Sequence, residues 1–200
     1  MVRRGTQARA EIVAAAARIA SVEGLQGLSL RTLARSLGRS KSGLFAHFDS
    51  KEALQLAVLQ HTERAMTERV VRPALVEPRG LPRIRALFRL WGVWAREQFP
   101  GGCVFVNAST ELDDKPGPVR DALVASQSAW RETLRRAFEI AAEEGQLRPD
   151  AEPEQLAFEL YSLMLGSYLY ARLLNDSKTV ALVRSSFERL LASASASPGS

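Results

Sequence analysis

Apolar residues recur at helical spacing along almost the whole chain, and turn-forming residues interrupt them at intervals. Ile12, Ala15, Ala16 and Ile19 make one stripe, which predicts a helix over residues 7–22 with Thr6 as its cap and Gly24 as its stop. Leu30, Leu33, Ala34 and Leu37 make a second, opened by Ser29 and closed by Gly38. Ser40 then caps a short third helix that sends Leu44 and Phe48 inward at i, i+4. Ser50 and Glu52 open a fourth, running to about residue 71 through Leu54, Ala57, Val58 and Met66, and Pro73, Pro78, Gly80 and Pro82 mark a joint. Beyond it the spacing predicts helices over 81–99 (Ile84, Leu87, Phe88, Trp91, Trp94, Ala95), 103–112, 119–144 (Leu123, Trp130, Leu134, Phe138, Ala141), 154–174 and 178–191, with Gly145 as a stop and Leu147 folding back. No segment alternates at period two. The pattern describes an all-α chain of about nine helices.

The short helices at residues 29–48 meet at a glycine and carry small or hydrogen-bonding residues between their inward positions. That is a helix-turn-helix, whose second helix can enter the major groove of DNA. It divides the chain into an N-terminal three-helix DNA-binding domain, residues 1–50, and a C-terminal helical bundle, residues 51–192. The tail, residues 193–200, is too poor in apolar groups to fold.

Charge strengthens this reading. The chain carries a net +5, and residues 1–51 hold nine Lys/Arg against three acids, whereas the other 149 residues hold 18 against 19. The positive excess therefore lies on the helix-turn-helix quarter, where phosphate contacts need it. One cysteine excludes an internal disulfide and suits a reducing cytoplasm. Arg3, Arg4 and the stretch IVAAAARIAS imitate a signal peptide, but Glu11 and Arg18 interrupt it, and no apolar run reaches the ~18 residues of a membrane span.

Residues 38–48 read Gly-Arg-Ser-Lys-Ser-Gly-Leu-Phe-Ala-His-Phe and are followed by Ser50-Lys51-Glu52. This string resembles the tetracycline-repressor (TetR) family, whose motif is G-x-S-[KR]-[GS]-[GTA]-[LI]-[YF]-x-H-F before a capped S-K-E helix start. The resemblance implies DNA contacts at matching positions. Arg31 and Thr32 would meet phosphate, Arg31 reaching toward a base. Ser40 would cap the reading helix. Lys41, Ser42 and Ala46 would face the groove, with Lys41 suited to guanine O6 and N7. Gly43 would let the backbone lie close to DNA. His47 and Lys51 would hold phosphates and fix register, and Thr6 would add one more phosphate contact. Phe45 stands where tyrosine is commoner and lacks its hydroxyl.

The resemblance further implies a homodimer on a palindromic operator, released by a small-molecule effector. Residues 154–174 and 178–191 carry more apolar surface than one core needs, so Leu163, Tyr170, Val183, Phe187 and Leu190 are placed at a four-helix interface between subunits; a single large core is the alternative. An effector pocket would draw on Phe88, Trp91, Phe105, Trp130, Tyr161, Met164 and Tyr168. Asn107 and Glu111, at i, i+4 on a short helix, are polar groups that need partners, which a ligand or a local cap network near Asp113 and Asp114 would supply. Cys103 opens that same helix, where a helix N-terminus favours thiolate, so a redox- or electrophile-sensing regulator is one alternative function. A non-specific architectural DNA binder is the other. An enzyme is rejected: no HExxH, CxxC, P-loop or GxSxG string occurs, and His61 has no nearby cysteine or acid cluster. No metal and no cofactor is called for.

Overall fold

The computed structural model describes the backbone of all residues except Met1, Arg39, Lys41, Ser42, Phe45, Ala46 and residues 197–200, and the side chains from Thr6 onward outside those positions. Among the described residues the α-helices are α1 (Val2–Glu23), α2 (Leu30–Ser36), α3 (Lys51–Met66), α4 (Arg72–Val76), α5 (Leu81–Glu97), α6 (Val104–Leu112), α7 (Pro118–Glu143), α8 (Pro153–Arg172) and α9 (Thr179–Ala194). The all-α expectation therefore holds.

Packing sorts the chain into two compact units, Met1–Thr67 with Ala95–Gln127 and Glu68–Trp94 with Ser128–Ser200. In the first, α1 packs along α3 and also against α2 and α6, and α3 packs against α6. Ile12, Val13, Ala16, Ala17 and Ala20 form the buried face of α1, with Leu33, Leu44, Phe48, Leu54 and Val58 opposite. Truncating one such large side chain to alanine costs about 2–5 kcal/mol, because the cavity left behind collapses only partly. The helix-turn-helix thus shares its core with α3 and α6, rather than closing at residue 50.

In the second unit, α8 packs against α9. The predicted inward positions of α5 and α7 are filled as expected, by Ile84, Leu87, Trp91, Trp94, Trp130, Leu134, Phe138 and Ala141. After α7 the Gln146 N–H bonds to the Ala141 carbonyl and the Gly145 N–H to that of Ala142, a Schellman stop that turns Leu147 into the core.

Three element ends differ from the sequence expectation. α1 begins five residues earlier than residue 7, so Thr6 lies inside it and is not its cap; Arg3 and Arg4 are good helix formers and only Gly5 opposes them. The helical path does not stop before Pro73. It passes through a single π turn, Thr67–Val71, into α4, and Pro73 sits in the first turn of α4, just after the register change of the π turn. The joint falls instead at Glu77–Gly80, before α5. Finally, residues 193–196 are not a disordered tail: α9 runs to Ala194, and Arg148 N–H to Ala194 O (2.9 Å) and Ala196 N–H to Gln146 O (3.0 Å) tie the next residues to the turn after α7.

Candidate functional site

The helix-turn-helix is built by local capping. Ser29 Oγ accepts the Thr32 N–H at 3.1 Å and opens α2; Gly38, at φ 60°, closes the turn beyond it. Ser40 Oγ accepts the Gly43 N–H at 3.2 Å and Ser40 O accepts the Leu44 N–H, which starts the second helix as the sequence predicted. Ser50 Oγ accepts the Ala53 N–H at 3.0 Å at the head of α3. Leu44 and Phe48 are fully inside. This leaves Arg31, Ser40, Gly43 and Lys51 exposed and His47 half-buried. The Thr32 hydroxyl lies 2.9 Å from Ser29 Oγ. Lys41, Ser42, Phe45 and Ala46, the expected groove-facing residues, lie outside the described residues. Thr6 is exposed on α1. One contact had no sequence signal: the Arg9 guanidinium sits 4.8 Å from the centroid of the Phe48 ring, a cation–π pair that braces the motif's last aromatic against α1.

The polar pair on α6 has found backbone partners. Asn107 Nδ2 donates to Ser21 O (3.0 Å) and Gly101 O (3.2 Å), and the Glu111 carboxylate accepts the N–H groups of Leu25 (3.2 Å) and Gln26 (2.8 Å). Neither a ligand nor the Asp113–Asp114 loop supplies these bonds. Phe105, also expected at a pocket, is buried in the same unit.

Cys103 is 2 % exposed. Burial pushes its thiol up to about 12, overcoming the opposite pull of the Val106 and Phe105 N–H groups at the start of α6. The helix-start effect that suggested a thiolate is present, but desolvation is larger. Burial therefore favours the neutral thiol over the thiolate that a redox role would use.

In the second unit, Phe88 stacks on Phe187 with centroids 3.9 Å apart and an interplanar angle of 15°. Phe187 is 2 % exposed, so it belongs to the unit's own core and not to an outward interface, and Phe88 is its packing partner. Trp91, Trp130, Met164 and Tyr168 are buried and Tyr161 is half-buried. The Trp130 Nε1 is enclosed without a hydrogen-bond partner. On α8 the residues Leu156, Leu160, Met164 and Tyr168 face inward at i, i+4, while Leu169 and Tyr170, with Leu173 just past the helix end, are exposed. Leu163, Val183 and Leu190 are half-buried, and Val180 and Leu182 on α9 are exposed. A groove of about 170 Å³ between α7 and α8 is lined by Ser128, Arg131, Glu132, Arg135, Glu154, Ala157 and Phe158. Its cations are spoken for: Arg135 pairs with Glu132 and Glu139, and Arg131 with Glu154. The hydrogen bond from Arg135 holds the Glu132 carboxyl below the usual carboxylate range. With its charges cancelled, the groove is no anion site.

A first unit that presents a capped helix-turn-helix on an all-helical scaffold defines a DNA-binding protein. Residues 12–58 match the model of the tetR family of bacterial regulatory proteins, and residues 80–187 that of the tetracyclin repressor-like C-terminal domain. The chain belongs to the TetR family, a family of transcriptional regulators. Among its relatives, the HTH-type transcriptional repressor AcnR of Corynebacterium glutamicum is 28% identical over 177 residues, covering 88% of this chain and 87% of that protein. A TetR transcriptional regulator from Chloroflexus aurantiacus superposes with a TM-score of 0.84 at 27% identity, over 95% of both chains. AibR, solved in complex with isovaleryl coenzyme A and operator DNA, shares the fold with a TM-score of 0.74 at 22% identity, over 92% of this chain and 98% of that one. Among the described residues no helix is long and apolar enough to cross a membrane.

Proposed function

We propose that the chain is a cytoplasmic, homodimeric repressor that holds a palindromic operator with two helix-turn-helix heads and releases it when a small molecule binds the bundle. The observation that carries the reading is the motif itself, in register from Ser29 to Lys51 and capped at each start, on the quarter of the chain that holds the whole positive excess. In this reading Lys41 reads a base, Ser42, Gly43 and Ala46 fit the groove, and Arg31, Thr32, His47, Lys51 and Thr6 meet phosphates. No step of it requires catalysis.

Two further observations support the assembly and the release. Leu169 and Tyr170 on α8 with Leu173 just past its end, and Val180 and Leu182 on α9, are exposed apolar surface of the kind a second copy covers. The enclosed Trp130 N–H is a buried donor without a partner, which suits an effector bearing an acceptor. The repressor named among the relatives and the AibR complex with both a small molecule and operator DNA agree with this class of action. An effector acts only by binding the DNA-free state more tightly than the DNA-bound one.

Selection of bound duplexes from a random pool tests the reading. A palindromic consensus with half-sites about one helical turn apart, or a multiple of it, is the expected result. Tight, strongly salt-dependent binding with no consensus would overturn it in favour of architectural DNA binding.

A further inference from the structure

The turn after α1 is gripped from two sides. Glu111, on α6, accepts two successive backbone N–H groups with its two oxygens, Leu25 N at 3.2 Å on Oε1 and Gln26 N at 2.8 Å on Oε2. The carbonyl of the same Leu25–Gln26 peptide accepts a hydrogen bond from Gln55 Nε2 on α3 at 2.7 Å, and Gln55 is buried. One carbonyl further on, Gln26 O accepts the Lys51 ammonium. That peptide is therefore a donor to α6 and an acceptor from α3, an arrangement in which each bond polarises the other. The site is shaped for the carboxylate: at Gly24, φ +82°, a Cβ would lie 2.5 Å from Glu111 Oε1. Four residues earlier on α6, Asn107 closes the last turn of α1 through Ser21 O, one of the carbonyls that a helix end leaves without an internal partner.

The turn leads directly into the DNA-reading parts. Leu28 is buried, Ser29 caps α2, and Arg31 and Thr32 follow within one helical turn. Lys51 spends one of its three N–H donors on Gln26 O and keeps two.

We propose that Glu111 is a positioning residue for DNA binding: by fixing the Leu25–Gln26 peptide it sets where Lys51 and the start of α2 meet the phosphate backbone. The proposal rests on the DNA-binding reading of the helix-turn-helix. It makes α6, a helix that touches no DNA in that reading, the element whose displacement the phosphate contacts would register.

The sign of the effect separates positioning from simple electrostatics. Glu111→Gln removes a negative charge, so the long-range field alone would tighten DNA binding. An amide has one acceptor oxygen, so it cannot hold both N–H groups as the carboxylate does. The test measures binding of the full-length protein to a 30-base-pair random-sequence duplex by fluorescence anisotropy between 50 and 200 mM NaCl. It compares the parent, Lys51→Ala, Glu111→Gln and the double variant, all well below their melting temperatures. Lys51→Ala should flatten the slope of log K against log salt by about 0.9, the share of one phosphate contact. Glu111→Gln should weaken binding about threefold to tenfold at 100 mM and flatten the slope in the same sense. The double variant should lose little beyond Lys51→Ala alone, because both act through one contact. Tighter binding by Glu111→Gln, an unchanged slope, or losses that multiply in the double variant would overturn the proposal, whatever happens to thermal stability. An unaltered slope in Lys51→Ala would overturn it as well. A parent protein with no salt-dependent DNA binding would instead defeat the DNA-binding reading beneath it.

Discussion

Among the described residues of the first compact unit the buried polar side chains have partners of their own. Ser21 donates to Arg18 O and accepts from Gly101 N, Gln55 donates to Leu25 O, and Thr62 donates to Val58 O. In the second, Arg83 Nε, Trp130 Nε1 and Thr179 Oγ1 are enclosed with no hydrogen bond. Exposure divides the same way: of the twelve large apolar side chains that stand exposed among the described residues, only Val22 and Val124 lie in the first unit. Folded proteins seldom leave buried donors unmet or long apolar stripes wet. The first unit is complete by itself and meets its ligand with exposed charge. The second is short of partners, inside at Trp130 and outside along α8 and α9, which is what a module waiting for a small molecule and a second copy should look like.

The completeness of the first unit can be broken at one atom. The Gly101 backbone lies so close to α1 that a Cβ there would stand 1.6 Å from Ser21 O and 2.5 Å from Val22 N. Both neighbours are backbone and cannot swing aside. Gly101→Ala should therefore cost on the order of 3 kcal/mol or more, at the destabilising extreme of single substitutions. Urea unfolding of the full chain measures it. A loss below about 1 kcal/mol would mean that the turn before α6 does not press on α1, and the contrast between the units would fail with it.

The incompleteness of the second unit is tested on its surface. Leu169→Glu with Leu173→Glu places two charges on the exposed C-terminal end of α8 and the residue that caps it, 51% and 73% accessible in the single chain. Light scattering should report monomers, with helix content unchanged and operator binding weakened. Phe187→Glu should behave differently: it breaks the stack on Phe88 inside the unit and should cost at least the roughly 3–5 kcal/mol of deleting a buried aromatic ring. If the double variant stays dimeric, this exposed apolar surface covers something other than a second copy.

The contrast also explains what the sequence could disclose. Helices, their caps and their glycine stops were legible because they are local: Ser29, Ser40 and Ser50 each cap within three residues, and the Gly145 stop needs only the preceding turn. The inward positions of α5 and α7 followed from spacing alone. Partners distant in sequence were not legible. Glu111 meets Leu25 across 86 residues, and nothing in its own neighbourhood distinguishes a ligand from a backbone clamp. Phe187 looked as fit for an interface as Tyr170, because periodicity gives the faces of a helix but not which neighbour each one meets. Cys103 misled for a related reason: its place at a helix start is local and visible, whereas the burial that overrides it comes from the packed core.

The smallest expected effect is the one at Trp130, and it decides whether the inner deficit is real. A buried donor without an acceptor costs about 1–3 kcal/mol relative to one that is met. Trp130→Phe removes that donor but also gives up part of the ring's buried area, about 1 kcal/mol at 25 cal/mol per Å². The two nearly cancel, so the free protein should unfold within about 1 kcal/mol of the parent. A compound that releases the parent from its operator should bind the variant more weakly by about 0.5–1.5 kcal/mol, the net worth of an ordinary hydrogen bond, while operator affinity without that compound stays the same. Titration of operator release against compound concentration reads this as a shift of up to roughly tenfold. A free variant that loses more than about 2 kcal/mol would reveal a partner on the indole N–H within the protein. In that case Trp130 packs the core, and the effector must find its hydrogen bond elsewhere in the second unit.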